Sequence, residues 1–364
     1  MANEIWTIKR CLEWTKEYLA ERGEEHPRLS AEWLLCAATG LARIDLYMRM
    51  DETLNAAQLE TMHAAVVRRA KGEPLQYITG STQFRMIDVT CAPGVLIPRP
   101  ETEVLVSEAL ALLPAPERRR ALDSTLTVDE FEELQAEAAA KADLEASGVV
   151  DGALPGQDGA RGVGDEVERV ADATIEASHE EADSSCDDVL YVADICTGSG
   201  CIACSIAFEN PKTRVLACDI APEAIALAKE NVAALNLEKH VAVLKGDLGA
   251  PVGDRFMGKL SLVVSNPPYI PTQVLDDMPI EVTEHEPELA LDGGCDGLDL
   301  YRPLATWAIR ALAAGGGFAV ELHETCLDAA ATFAESCGFT DVRIVDDLAG
   351  RPRVLTARKP NVVA

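Results

Sequence analysis

Basic residues are scarce in this 364-residue chain, where 32 lysines and arginines stand against 61 aspartates and glutamates, a formal net charge of −29. A nucleic-acid enzyme ordinarily needs a basic face to neutralise phosphates, so the balance speaks against direct nucleic-acid binding. Leaving out the most acidic stretch, residues 117–188, still gives 40 acids against 26 bases, a net of −14. Arg68, Arg69 and Lys71 could form a local basic patch, but a solvated helix end is the simpler explanation. Histidine is sparse too: the six residues are scattered and none has H-E-x-x-H spacing, so zinc hydrolysis has no support and no metal is expected. The eleven cysteines are odd in number and lack regular pairing distances, which predicts reduced thiols rather than a disulfide framework. Cys201-x-x-Cys204 has no second C-x-x-C pair beside it and reads as small core residues within a helix. No segment reads as a membrane span or a secretory core. Met1 to Arg22 instead reads as an amphipathic helix, with Ile5, Ile8, Leu12 and Leu19 among charges, which predicts a cytoplasmic chain without a membrane partner.

What is present is enough apolar matter, 48% of residues, for substantial cores and two or more domains. The N-terminal part reads as helical. Asn55-x-x-Gln58 has the form of a capping box, Leu59, Met62 and Val66 line one helical face, and Gly72 and Pro74 close the helix. Tyr77 to Val89 alternates as a hairpin around Gly80 and leads into Leu96-Ile-Pro-Arg-Pro. In the second half strands and helices alternate until Gly316 to Leu322, and Val342 to Val345 with Val354 to Ala357 suit a terminal antiparallel pair. The fold class expected is α/β, a doubly wound, Rossmann-like sheet.

Two turns in that half carry chemistry. Tyr191 to Ile195 runs into Cys196-Thr197-Gly198-Ser199-Gly200 and then a small apolar stretch, the order strand, glycine turn, helix. Gly198 permits the tight turn, Gly200 lets a ligand approach the backbone and Ala203 lets the helix pack closely, in the form G-x-G-x-x-A. Asp219 ends the next strand, 21 residues beyond Gly198, where an acid can bind ribose hydroxyls; the spacing favours that role over an N-cap of the helix opened by Pro222, though both could coexist. Asp247, after Val241 to Gly246, could contact an adenine amine or be a solvated loop acid.

The second turn is Asn266-Pro267-Pro268-Tyr269, directly after the apolar run Leu260 to Ser265. Each proline fixes its own φ and restricts the residue before it, and neither offers an N–H. The Asn266 side-chain oxygen and the Pro267 carbonyl, aimed at one point beside an aromatic ring, suit a planar group whose NH2 has two hydrogens to donate. No hydride-transfer catalyst stands there, so an amine-accepting turn facing a nucleoside pocket suggests methyl transfer from S-adenosylmethionine.

Further segments in order, Leu96-Ile-Pro-Arg-Pro-Glu-Thr-Glu103, Glu286-Pro287 with Ala290 to Gly294, and Asp347 to Arg353, join these turns in a pattern that resembles the protein-(glutamine-N5) methyltransferases that modify peptide chain release factors. The resemblance implies an N-terminal helical substrate-recognition domain (1–73), a hairpin and connector (74–116) and a seven-stranded methyltransferase domain (189–360). It implies S-adenosylmethionine as cofactor, held by Cys196, Thr197, Gly198, Ser199, Gly200, Asp219, Asp247, Leu248 and Asn266. Asn266, Pro267, Pro268 and Tyr269 would bind the substrate, the Gln of the release factor's Gly-Gly-Gln loop, with Asn266, Pro267 and Tyr269 catalytic. A ribosomal-protein glutamine methyltransferase uses the same clamp, a DNA adenine N6-methyltransferase a similar one on a flipped base, and a non-catalytic release-factor-binding adaptor would have no need to keep Gly198, Gly200, Asp219 and Asn266 together.

Two departures from the family pattern stand out. Cys196 occupies a place that is usually glycine; Cys is small, so the pocket is expected to survive, with a somewhat altered backbone or weaker cofactor affinity left open. Residues 117–188 replace a short join and hold 21 acids against 6 bases, with six glycines between Gly148 and Gly164 and no aromatic except Phe131. Thr127 to Ser147 has helical spacing of Val128, Phe131, Leu134 and Ala138; the rest is too polar to offset its ordering entropy and is expected to be disordered. Either a solvated expansion loop or a strip that recruits a basic partner would fit.

The chemistry expected at the second turn follows from the weakness of an amide nitrogen as a nucleophile. Asn266 and Pro267 would accept its two N–H groups and aim it, Tyr269 would pack on the amide plane, and no base is needed before attack. No His or carboxylate is expected beside the turn.

Overall fold

The computed structural model describes residues 5–114, 189–275 and 278–361. The acidic segment and its expected Thr127 to Ser147 helix lie outside the described residues. Five helices come first: α1 Ile8–Ala20, α2 Pro27–Thr39, α3 Arg43–Met48, α4 Ala56–Arg69 and α5 Leu75–Thr79. The helix expected over Met1 to Arg22 is shorter, because Thr7 caps it by accepting from the Arg10 N–H at 3.2 Å. The capping box of α4 is complete, with Gln58 N–H donating to Asn55 Oδ1 at 2.9 Å and Asn55 N–H to Gln58 Oε1 at 3.0 Å. Ile8, Leu19, Leu34, Leu35, Leu46, Met62 and Val66 bury together between these helices.

The hairpin falls later than the alternation suggested. Tyr77 lies in α5, which starts after Pro74 and ends at Gly80 in the left-handed region, φ 82°. The strands are β1 Ser81–Phe84 and β2 Ile87–Thr90, with Phe84 opposite Ile87 and the reversal at Arg85 and Met86. A proline before and a glycine after five residues define a helical turn more strongly than period-two alternation defines a strand. Phe84, Ile87 and Val89 insert into the same core as Leu105 and Val106 of α6 (Pro100–Leu112).

The remaining elements are β3 Leu190–Ile195, α7 Cys201–Glu209, β4 Thr213–Asp219, α8 Pro222–Ala234, β5 Val241–Lys245, β6 Leu260–Ser265, the short α9 Thr272–Leu275 and α10 Ile280–Thr283, α11 Tyr301–Ala311, β7 Leu312–Glu321, α12 Leu327–Cys337, β8 Thr340–Asp346 and β9 Pro352–Arg358. Seven strands form one sheet in the order β5-β4-β3-β6-β7-β9-β8. The first five are parallel; β9 runs antiparallel to both β7 and β8. Val192 to Ile195, Val215 to Cys218 and Leu262 to Val264 are buried throughout, as befits parallel strands covered on both faces. The chain builds outward from β3 to β5 and then returns to place β6 on the other side of β3. Such a reversal opens a crevice at the carboxyl ends of the two central strands.

Candidate active site

Strand register brings four loop-entry residues level. Ile195 pairs with Cys218 and with Ser265, and Ser265 pairs with Val320. Asp219, Cys196, Asn266 and Glu321 therefore follow one another along the carboxyl edge of the sheet. Ser265 Oγ donates to the Ile195 carbonyl at 2.6 Å and ties the exits of β3 and β6 together.

The glycine turn leaves β3 with φ of 61° at Cys196, 56° at Gly198 and 80° at Gly200. The backbone expected at a usual glycine is thus kept, and Cys196 carries a Cβ in the left-handed region at a cost of roughly 1–2 kcal/mol. Thr197 N–H donates to the Cys218 carbonyl at 3.0 Å. Its hydroxyl donates to Asp194 Oδ2 at 2.5 Å, and Ala203 N–H reaches the same oxygen at 3.1 Å. Asp194 is fully buried, and its Oδ1 lacks a hydrogen-bond partner among the described residues. Burial pushes this carboxyl up to about 7, against the two hydrogen bonds, with the charge of Asp219 adding to the rise.

Gly200 has a packing role as well as the one expected. A Cβ there would lie 3.2 Å from Ala228 Cβ, so the missing side chain lets α7 start close against α8. Ser199 is fixed from behind: Asn231 Nδ2 donates to its carbonyl at 2.9 Å, while Asn231 Oδ1 accepts from Thr90 N–H at 2.7 Å. Cys201 and Cys204 are buried in α7 as part of the core, and burial pushes the Cys204 thiol up to about 12.

Asp219 is not the cap of α8, whose N-cap is Ala221. Its Oδ2 accepts from Gly198 N–H at 2.8 Å and its Oδ1 from Ala221 N–H at 3.0 Å. Each carboxylate oxygen keeps a further lone pair, and the residue is half-buried, so the group fits a diol such as a ribose. Asp247 is exposed two residues beyond Lys245, the register partner of Asp219, and Leu248 follows at φ 45°.

At the second turn Pro267 and Pro268 are buried while Asn266 and Tyr269 are half-buried. Asn266 Nδ2 donates to Thr102 Oγ1 at 3.2 Å, and Tyr269 Oη donates to Glu321 Oε1 at 2.9 Å. Burial and the Glu321 charge hold the phenol well above its ordinary range, so it remains a donor. The expectation of no carboxylate beside the turn is overturned: Glu321 is there, completely buried. Sequence reasoning missed it, and missed Thr102 and Asn231, because each lies far along the chain from the turn it serves. The available signal was register, since Glu321 ends a strand paired in parallel with the one before Asn266.

Two of the other segments that carried the family resemblance, Leu96 to Glu103 and Glu286 to Gly294, meet beside this turn. Ile270 N–H donates to the Leu291 carbonyl at 2.9 Å and Gly293 N–H to the Ile270 carbonyl at 2.8 Å. Arg99 Nη2 donates to Glu286 Oε2 at 2.5 Å, and Ile97 N–H to Glu286 Oε1 at 3.4 Å. Arg69 is not a solvated helix end: it pairs with Glu24 at 2.6 Å and with Glu281 at 2.9 Å, joining α4 to the segment after the turn. Arg68 pairs with Glu73 at 2.5 Å.

Residues 10–80 match a family model described as the PrmC N-terminal domain, and residues 184–282 one described as the methyltransferase small domain. A Geobacter sulfurreducens protein named release factor glutamine methyltransferase is 37% identical over 358 residues, covering 98% of this chain and 98% of that one. The chain belongs to the release factor glutamine methyltransferase family. Relatives of the same name in this family include those of Moorella thermoacetica, 34% identical over 96% of this chain and 98% of the other, and of Caulobacter vibrioides, 32% identical over 97% of each. Among the described residues, no helix is long and apolar enough to cross a membrane.

Proposed function

We propose that the chain transfers the methyl group of S-adenosylmethionine to the side-chain amide nitrogen (N5) of the Gln in the Gly-Gly-Gln loop of peptide chain release factors, and that it does so in the cytoplasm. The observation that carries this reading is the direction of the Asn266 hydrogen bond. Its NH2 is used on Thr102, so its Oδ1 is the end left for a substrate, and an oxygen there selects a group with N–H to donate. A glutamine carboxamide has two such hydrogens. The near full-length relatedness to release factor glutamine methyltransferases supports the same substrate.

The donor set at the carboxyl edge suits S-adenosylmethionine. Asp219 retains acceptor capacity for the ribose hydroxyls, Asp247 is open to solvent beside it, and Thr197 to Gly200 line the turn next to Asn266. When bound, the cofactor supplies an electrophilic methyl on sulfur. Asn266 Oδ1 and the Pro267 carbonyl accept the two substrate N–H groups, which aims the nitrogen and stabilises positive charge as it develops. Tyr269, held by Glu321, keeps the rigid turn in place beside the amide. The nitrogen gives up its proton to solvent water only after it has been methylated and become acidic, so Glu321, whose Oε1 accepts from the Tyr269 hydroxyl, is not required as a base.

Incubation with labelled S-adenosylmethionine and purified release factor, followed by mass spectrometry, should place one methyl on the loop glutamine. Label on a ribosomal protein or on DNA in place of the release factor would overturn the substrate assignment. Asn266→Ala should abolish most turnover while leaving calorimetric binding of S-adenosylmethionine nearly intact; near-normal turnover would remove Asn266 from its role.

A further inference from the structure

We propose that Trp307 is a positioning residue for the cofactor's base: its indole, seated on the main chain of Gly249, holds Asp247 and Leu248 in the form that reads an adenine and rejects a ring with a carbonyl in place of the amine. The inference rests on the reading of Asp247 and Leu248 as cofactor residues.

The segment from Gly246 to Val252 leaves β5 at the carboxyl edge of the sheet and is built of close approaches. Gly246 N–H donates to the Asp219 carbonyl at 2.9 Å, which ties the segment to the end of β4. A Cβ on Gly246 would lie 2.5 Å from Pro251 Cγ, so the segment folds back on itself, and Val252 at its far end is fully buried. Between these points Ala250 N–H donates to the Asp247 carbonyl at 3.0 Å, closing a turn with Leu248 and Gly249 at its centre.

The two central residues have conformations opposite to their types. Leu248 stands at φ 45°, in the left-handed region that disfavours any residue with a Cβ, while Gly249 stands at φ −82° and ψ 0°, which any residue adopts. Backbone preference therefore asks for no glycine at 249 and would place one at 248. Trp307 explains the inversion. A Cβ on Gly249 would lie 2.1 Å from Trp307 Cε2, 2.3 Å from Cδ2 and 2.5 Å from Cζ2, so the fused edge of the indole occupies the place of a side chain. Trp307 stands three residues after Leu304 and four before Ala311 in α11, both fully buried, so the ring is carried by a helix anchored in the core.

A strained residue that is not glycine persists only where its surroundings over-determine it, and such residues gather at ligand sites. The surroundings here are the indole on Gly249, the Pro251 ring on Gly246 and the bond to the Asp219 carbonyl. The residue they hold follows directly on Asp247, an exposed carboxylate that can accept a hydrogen bond from the exocyclic amine of adenine. Hypoxanthine has a carbonyl oxygen at that place, to which a carboxylate cannot donate.

The experiment measures calorimetric affinity for S-adenosylhomocysteine and for its deaminated analogue S-inosylhomocysteine, together with melting temperature. It compares wild type with Trp307→Ala, Trp307→Phe, Gly249→Ala, the Gly249→Ala/Trp307→Ala double variant and Asp247→Ala. Wild type should prefer the adenosyl compound by about tenfold or more, the scale of one hydrogen bond to a charged group. Trp307→Ala should weaken the adenosyl compound by about tenfold and the inosyl compound far less, so that the preference collapses. Trp307→Phe keeps a flat ring on Gly249 and should keep most of the preference. Gly249→Ala alone should also lose the preference and lower the melting temperature by about 3 °C or more, the scale of overpacking. Once residue 307 is alanine, the same substitution should add nothing, because the backbone at 249 suits a Cβ and the ring has gone. An undiminished preference in Trp307→Ala, whatever its melting temperature, or additive effects of the two substitutions would overturn the proposal and leave Trp307 as core packing. A preference that survives Asp247→Ala would instead remove Asp247 from the adenine, and the proposal with it, so the two failures are separable.

Discussion

Gly293 and Tyr269 meet backbone to backbone: a Cβ on Gly293 would lie 2.7 Å from Tyr269 Cα. The contact is unforgiving, since both partners are main chain. It explains why a glycine-bearing strap some twenty residues after the turn belongs to the site at all. The strap is bonded to Ile270 and packs on the main chain of Tyr269.

Gly293→Ala should therefore displace the turn. Overpacking of this kind costs about 1–3 kcal/mol, to be read from urea unfolding. Turnover should fall more than cofactor affinity does, because Asp219 and the Thr197 to Gly200 turn are untouched. A variant as stable and as active as wild type would show that the strap yields freely.

Asp194 gives a pH signature. Its folded-state pKa of about 7 lies above the ordinary aspartate range, because burial dominates. The unfolded chain releases this proton first, so Asp194 lowers stability as pH rises from about 4 to about 7 and adds no further slope above that. Asp194→Asn removes the titration while keeping an acceptor for Thr197 and Ala203. The stability of wild type relative to Asp194→Asn should decline across that window in denaturant melts; a constant difference would contradict the assignment.

Cys196 tests the left-handed corner. Cys196→Gly should fold and bind S-adenosylmethionine at least as well as wild type, the strain it relieves being offset by the added freedom of the unfolded chain. Cys196→Val brings a β-branched side chain to φ 61° and should lose about 2 kcal/mol or more of stability. Calorimetric binding and thermal melts on the two variants would read both effects.

Arg99 and Glu286 join the connector to the strap, with the carboxylate buried and the guanidinium partly exposed. Burial raises the Glu286 pKa, and Arg99 opposes that rise. Arg99→Ala leaves the carboxylate without its cation and should destabilise by about 1–3 kcal/mol after discounting for the exposure of the arginine. The loss should be smaller in mild acid, where Glu286 can take a proton. Chemical denaturation at two pH values checks both size and sign.

Much of this was open to reading from residue order. The burial of β3, β4 and β6 follows from their continuous apolar runs, and the turns after β3 and β6 are announced by glycine and proline chemistry. The α4 capping box formed as the Asn55 and Gln58 spacing required. Local rules failed where two local signals competed, as at Tyr77, where proline and glycine boundaries outweighed alternation. They also failed where a residue's task is set by a distant partner: Arg69 serves Glu24 and Glu281.

Sequence alone determined the sheet-forming runs, the two functional turns and the family pattern, because φ restriction, apolar periodicity and motif spacing act within a few residues. Tertiary structure alone decided the polarity of the site. Thr102 comes from a helix and Asn266 from the turn after a strand, and the direction of a hydrogen bond exists only once donor and acceptor are in place. Whether Asn266 offers oxygen or nitrogen is thus a property of the assembled sheet edge and of no segment taken by itself.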